Sequence, residues 1–178
     1  MAYNPCYDAE EELFKKRLRF LFTSSGKREI VKAIEYTAVA DNGKSTIYNL
    51  AFGDYDNQND LVMDKTNSNN GDMYQVFYTV LNSVTAFYNQ FPNDAIFIQG
   101  SDNSHDYYHE CLPTCQKKCT VACKNANRRI KTYRSFINKN FQKLDKSYRF
   151  MGAFKHAAEF VPYELGMEYD AILVFQRN

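Results

Sequence analysis

Between positions 105 and 123 the chain reads His-x3-His-x-Cys-x3-Cys-x3-Cys-x3-Cys, through His105, His109, Cys111, Cys115, Cys119 and Cys123. This stretch holds four of the five cysteines and two of the three histidines. Thiolates and imidazoles bind zinc and other thiophilic metals, with four ligands at about 2.0–2.3 Å from one tetrahedral point. Cysteines four apart share a helix face, with Cβ atoms about 5–6 Å apart, so a neighbouring pair can chelate one ion. Four along one straight helix would spread over about 18 Å and could not. A shared centre therefore needs a break, which Pro113 can supply, and a fold-back of His105 or His109 onto two cysteines. Two other states stay open: reduced thiols without metal, and two disulfides across a helical hairpin in an oxidising compartment. A Cys/His nucleophilic pair would also need a third, orienting group. Cys6 reads as a separate thiol, and His156 as structural.

A second chemistry-bearing feature is charge. The net charge of +1 predicts no partner, but its distribution is uneven. Residues 117 to 149 carry Lys117, Lys118, Lys124, Arg128, Arg129, Lys131, Arg134, Lys139, Lys143, Lys146 and Arg149 against one acid, Asp145. Tyr133, Phe136, Phe141, Tyr148 and Phe150 interleave with these bases, as in grooves that stack single-stranded nucleic acid. Ile130, Tyr133, Phe136 and Ile137 also fit the apolar face of a helix, which makes the bases its wet face. No recognised nucleic-acid motif is present, so nucleic acid is the less favoured partner. No Walker loop, serine nucleophile elbow or His-Glu-x-x-His motif occurs.

The elements that must position these residues follow from periodicity. With 44% hydrophobic and 16% aromatic residues in 178, the chain can build a core. Residues 1–17 read as an N-terminal arm in which Glu10 to Lys16 form a short helical turn. Residues 18–178 read as a single α+β domain with a Cys/His-rich insert at 103–126. Strands are expected over 19–23, 30–39 and 46–52, with Asp41-Asn42-Gly43 as a hairpin turn. A polar loop, 54–71, has one apolar island at Leu61 to Met63. Asp72 caps a helix that Pro92 ends, with Gln75 as capping-box partner. Ala95 to Ile98 is a short buried strand, Asn127 to Asn140 a helix, and 159–165 with 169–176 a closing strand pair around Gly166. The segment 148–154 is left open. The order is βββ-α-β-(insert)-α-ββ, a mixed, mainly antiparallel sheet. Its β-α-β crossover places both helix starts at one sheet end, where open α/β sheets bind ligands. Backbone amides and the positive dipole end attract anions there. Asn70, Gly71 and Asp72 precede the first helix, Gly100 and Ser101 follow the central strand, and Arg128 and Arg129 open the second helix. Together they are the candidate anion site.

This element order, over roughly residues 18 to 176 outside the insert, resembles the Gcn5-related N-acetyltransferase fold. The resemblance implies that backbone amides around Asn67 to Asp72 cradle the pyrophosphate of acyl-CoA. It also implies that Tyr133, six residues after Asn127, acts as general acid to the leaving thiolate. The family's Gln/Arg-x-x-Gly-x-Gly/Ala pattern is represented here by Gly71 alone, and the Asn-to-Tyr spacing is about one residue short. A closer resemblance, from Phe20 to the end, is to a family of short, uncharacterised bacterial proteins of unknown function. It is carried by Tyr48-Asn49-Leu50-Ala51-Phe52-Gly53-Asp54, Asn70-Gly71-Asp72, Ile98-Gln99-Gly100-Ser101, and Arg128 through Tyr133-Arg134. The Cys-rich insert departs from that family's pattern. The expected function is a degenerate acyltransferase-like cleft binding a CoA- or nucleotide-like anion. The alternative is a non-enzymatic interaction module using the basic helix or the insert. The N-terminus shows no secretory signal and no apolar run is long enough for a membrane span, so a cytoplasmic protein is expected.

Overall fold

In the computed structural model, residues 6–63, 70–100, 102, 106–115, 117–120, 123–124, 126–157 and 159–177 are described. They fall in two compact units, Met1–Ile96 and Phe97–Asn178. The first contains β1 (Glu10–Phe14), β2 (Arg17–Ser24), β3 (Ile30–Asp41), β4 (Thr46–Asp56), β5 (Leu61–Met63) and α1 (Met73–Gln90). β6 (Ala95–Gln99) falls across the division. The second contains α2 (Tyr107–Cys111), α3 (Arg128–Leu144), β7 (Tyr148–Ala153), β8 (Val161–Pro162) and β9 (Ala171–Gln176). No helix among the described residues is long and apolar enough to cross a membrane.

In the first unit β1 to β4 pair in sequence as an antiparallel meander, and β5 pairs with β4. Strand alternation sorts the side chains onto two faces. Leu18, Phe20, Ile34, Tyr36, Tyr48 and Leu50 are buried, as are Val76, Thr79, Val80, Ser83, Phe87 and Tyr88 of α1. Phe87 is the centre of this core, stacked 4.7 Å from Tyr36 and edge-on to Tyr48 at 5.2 Å. The Tyr36 hydroxyl, which would be stranded there, meets Ser83 Oγ at 2.8 Å. On the other face Arg19 is 2% exposed. Its Nε donates to Glu35 Oε2 at 2.8 Å, and its Nη1 to Asp60 Oδ1 at 2.6 Å and to the Tyr55 hydroxyl at 3.0 Å. Nη2 also lies 2.8 Å from Glu35 Oε2, but off the line a hydrogen bond needs. Burial alone would lower the Arg19 pKa, but bonds to Asp60 and Glu35 override it and raise it.

Glu10–Phe14 is a strand, not the expected helical turn. Pairing of Leu13 with Leu18 and of Glu12 with Arg19 outweighs the weak propensity of one isolated turn. The apolar island Leu61–Met63 is likewise a strand, and it lies so close to β4 that a side chain at Gly53 would run into the Met63 carbonyl.

In the second unit β7 is central, antiparallel to β9 on one side and β8 on the other. The expected closing pair therefore does not form with itself. Both of its segments pair with β7, the segment left open in the sequence. Tyr148, Phe150, Tyr163 and Tyr169 are buried with Ile130, Ile137 and Leu144 of α3. Tyr169 lies over Gly152, where an added Cβ would be 2.6 Å from Cε1 and nearer still to Cδ1 and Cγ. A ring standing in for the missing side chain of a strand glycine is a recurrent device for fixing such positions.

Candidate functional site

Asn70, Gly71 and Asp72 lie in the first unit. Gly71 takes φ +76°, a conformation that only glycine reaches without strain. Asp72 is at the N-cap of α1, yet it makes no side-chain cap bond, so the expected capping box with Gln75 is absent. Its Oδ2 instead accepts from the Tyr7 hydroxyl at 2.8 Å and from Ser24 Oγ at 2.6 Å. Burial, and then the Asp72 carboxylate, raise the Tyr7 hydroxyl pKa. Asn70 Nδ2 donates to Ser24 Oγ at 2.9 Å and to the Arg28 carbonyl at 2.9 Å, and Asn70 Oδ1 accepts the Arg28 N–H at 3.3 Å. Both side chains are thus tied to the β2–β3 turn.

Gly100, Arg128 and Arg129 lie in the second unit, and Ser101 lies outside the described residues. At the start of α3 the chain supplies its own anion. Asp102, 4% exposed, accepts the Arg129 N–H on Oδ2 at 3.2 Å and the Asn127 N–H on its carbonyl at 3.1 Å. A carboxylate here satisfies a helix-end donor and meets the dipole. A Cβ at Gly100 would sit 2.5 Å from Asp102 Oδ1, so any larger residue would displace that carboxylate. Asp102 is a capping position that the sequence pattern does not reveal, because the insert separates it from α3. Tyr133 is half-buried on α3, and burial raises its hydroxyl pKa.

In the insert, the helix breaks where Pro113 stands. α2 ends at Cys111, a 3-10 turn covers Leu112–Thr114, and Cys115 leaves it in extended backbone at ψ 105°. His105 lies outside the described residues. His109, Cys111, Cys115, Cys119 and Cys123 are described, and none of the five cysteines of the chain is in a disulfide. Among the described residues no three His, Cys, Asp or Glu side chains are placed to hold one ion. What the turn does bring together is a thiol group in which Cys115 and Cys119 are in contact, with the Cys111 thiol also hydrogen-bonding Cys115 and Cys123 near Cys119. Cys115 Sγ and Cys119 Sγ lie 3.4 Å apart. The Cys119 N–H foremost, then the Cys119 thiol and the Lys117 N–H, lower the Cys115 pKa to about 7. On Cys119 the strongest influence is the Lys124 N–H, which lowers its pKa, but burial and neighbouring Cys115 together raise it.

The basic segment lines a shallow, open groove. α3 carries six Lys or Arg and no acid over Arg128–Leu144. Lys131, Ser135, Asn138 and Lys139 recur at helical spacing on one side, with Arg134 beside them. With Gly166, Met167 and Glu168 of the loop before β9 they line a groove of about 520 Å³ within the second unit. Arg134 fixes the loop: Nη1 donates to the Tyr169 carbonyl at 3.0 Å and Nη2 lies 3.8 Å from Glu168. The Tyr163 hydroxyl, held protonated by a pKa that burial pushes up to about 12, donates to Asn138 Oδ1 at 2.9 Å. That bond turns the Asn138 amide nitrogen away from Tyr163 as a remaining donor. Three cations stand against one carboxylate, with hydroxyl and amide donors between them. Such a lining suits phosphate or carboxylate oxygens.

Fold and groove define an α+β protein with a cationic helix-face groove. Residues 4–113 match a family of unknown function (DUF6934), and the chain belongs to that family. The match ends inside the insert, before Cys115, α3 and the groove. No curated protein matches the chain, and no solved structure does.

Proposed function

We propose that this protein binds a phosphate-bearing small molecule of nucleotide or CoA size through the basic face of α3. The observation that carries the reading is the groove itself: Lys131, Arg134 and Lys139 over about 520 Å³, with Ser135 and Asn138 between them and a tethered loop as its wall. CoA, acetyl-CoA, ATP and ADP carry phosphates at this size and are the ligands to be tried.

A ligand that binds the folded state alone raises its melting temperature, with about 2.7 kcal/mol of added stability at a hundredfold excess over Kd. Thermal shift with CoA, acetyl-CoA, ATP and ADP at millimolar concentration tests the proposal. The expected result is a rise with at least one of them that Lys131→Ala/Lys139→Ala abolishes. No rise with any, or a rise that the double variant retains, refutes it. Binding only to a single-stranded oligonucleotide, with a steep salt dependence, would transfer the groove to the nucleic-acid reading.

A further inference from the structure

We propose that Cys115 and Cys119 form a thiol–disulfide exchange site, with Cys115 attacking and Cys119 resolving, for carboxylate-bearing low-molecular-weight disulfides. This is independent of the groove.

Cys115 lies in contact with Cys119 and also hydrogen-bonds the Cys111 thiol, but Cys119 is the buried partner that the turn holds in place. Lys118 donates its N–H to the Cys115 carbonyl at 3.2 Å and takes φ +48°, which turns the chain back on itself. The turn sets the two sulfurs 3.4 Å apart, so closing a disulfide of about 2.05 Å needs an approach of about 1.4 Å. The two sulfurs differ in access. Cys115 is half-buried, whereas Cys119 is 6% exposed and accepts the Lys124 N–H at 3.2 Å. An incoming disulfide therefore meets Cys115 first, and Cys119 waits beneath it. Lys117, Lys118 and Lys124 are exposed around the pair and favour a disulfide that carries carboxylates.

The chemistry balances with that co-reactant. The Cys115 thiolate attacks one sulfur of RS–SR, the S–S bond breaks, and RS⁻ leaves to take a proton from solvent. Cys115 is then a mixed disulfide. Cys119 releases its proton to solvent and attacks the Cys115 sulfur, the Cys115–Cys119 bond forms, and the second RS⁻ leaves as thiol. Two protein thiols are oxidised and one disulfide is reduced to two thiols.

The test treats the reduced full-length chain with oxidised glutathione, followed by thiol counting and peptide mass spectrometry. Wild type is expected to lose two of its five thiols to a Cys115–Cys119 bond that dithiothreitol reverses. Cys119→Ser is expected to keep a glutathione adduct on Cys115, while Cys115→Ser gives neither product at these positions. Retention of all five wild-type thiols overturns the proposal, as does a bond joining other cysteines. So does a stoichiometric metal whose removal by chelator is needed before any thiol reacts. If a variant fails to fold, the wild-type result alone decides.

Discussion

Replacing Gly152 by alanine tests the packing that holds the groove's wall. The new Cβ would lie 2.6 Å from Tyr169 Cε1 and closer to two further ring atoms, where ordinary contact begins near 3.4 Å. The ring must retreat by at least 0.8 Å at Cε1, the difference of those two distances. It has little room to do so. Tyr169 is 1% exposed, with Phe154 at 4.8 Å and Tyr163 at 5.0 Å between ring centroids. Its hydroxyl accepts the Glu164 N–H at 3.1 Å, and its carbonyl accepts from Arg134. Overpacking of this kind costs about 1–3 kcal/mol. With a urea slope of about 2 kcal/mol/M, a loss near 2 kcal/mol moves the unfolding midpoint down by about 1 M. Far-ultraviolet circular dichroism measures it, since the chain has no tryptophan. In a Tyr169→Ala background the ring is gone, so Gly152→Ala is expected to add less than about 0.5 kcal/mol. A full and equal loss in both backgrounds, or no loss in wild type, refutes the reasoning.

Three further outcomes follow from the same structure. Asp60→Asn removes the carboxylate that Arg19 foremost, then Tyr55, hold below the usual range. Its contribution is complete above the ordinary carboxylate pKa of about 3.9 and is lost as pH falls through the lowered one, so variant and wild-type urea midpoints differ at pH 7 and converge in strong acid. Phe87→Ala is expected to cost about 3–5 kcal/mol by the same unfolding assay, because Phe87 is fully buried among Tyr36, Tyr48 and Tyr88. Alkylation of Cys115 by iodoacetamide should rise with its thiolate fraction through pH about 7, while Cys119, whose pKa is raised, reacts only at higher pH. Equal pH profiles at the two positions would contradict the donor array around Cys115.

Local signals made much of the fold legible. Three alternating runs became β2, β3 and β4, and the helix that Pro92 stops became α1. Glu10–Phe14 was illegible because its strand character comes from pairing with β2, which a window of five residues does not contain. The central place of β7 was hidden for the same reason, since both β8 and β9 pair with it across long separations. At the candidate sites, the basic run announced its charge, but the loop Gly166–Glu168 that makes it a groove lies about thirty residues away and carries no motif. Asp102 at the start of α3 was equally silent, because a capping acid separated from its helix by an insert breaks the short-range pattern. The cysteine spacing suggested one helix face. The 3-10 turn at Pro113 and the turned-back Lys118 folded that row into a compact group with Cys115 against Cys119.

The central proposal, recognition of a phosphate-bearing ligand by the basic face of α3, is tested most directly by calorimetric titration of CoA and ATP into wild type and Lys131→Glu/Lys139→Glu. Reversal of two of the three groove cations is expected to weaken binding of the better ligand at least tenfold, about 1.4 kcal/mol, while the variant keeps the wild-type circular dichroism spectrum. Equal affinity in the two proteins, or no heat with either ligand in wild type, would contradict it.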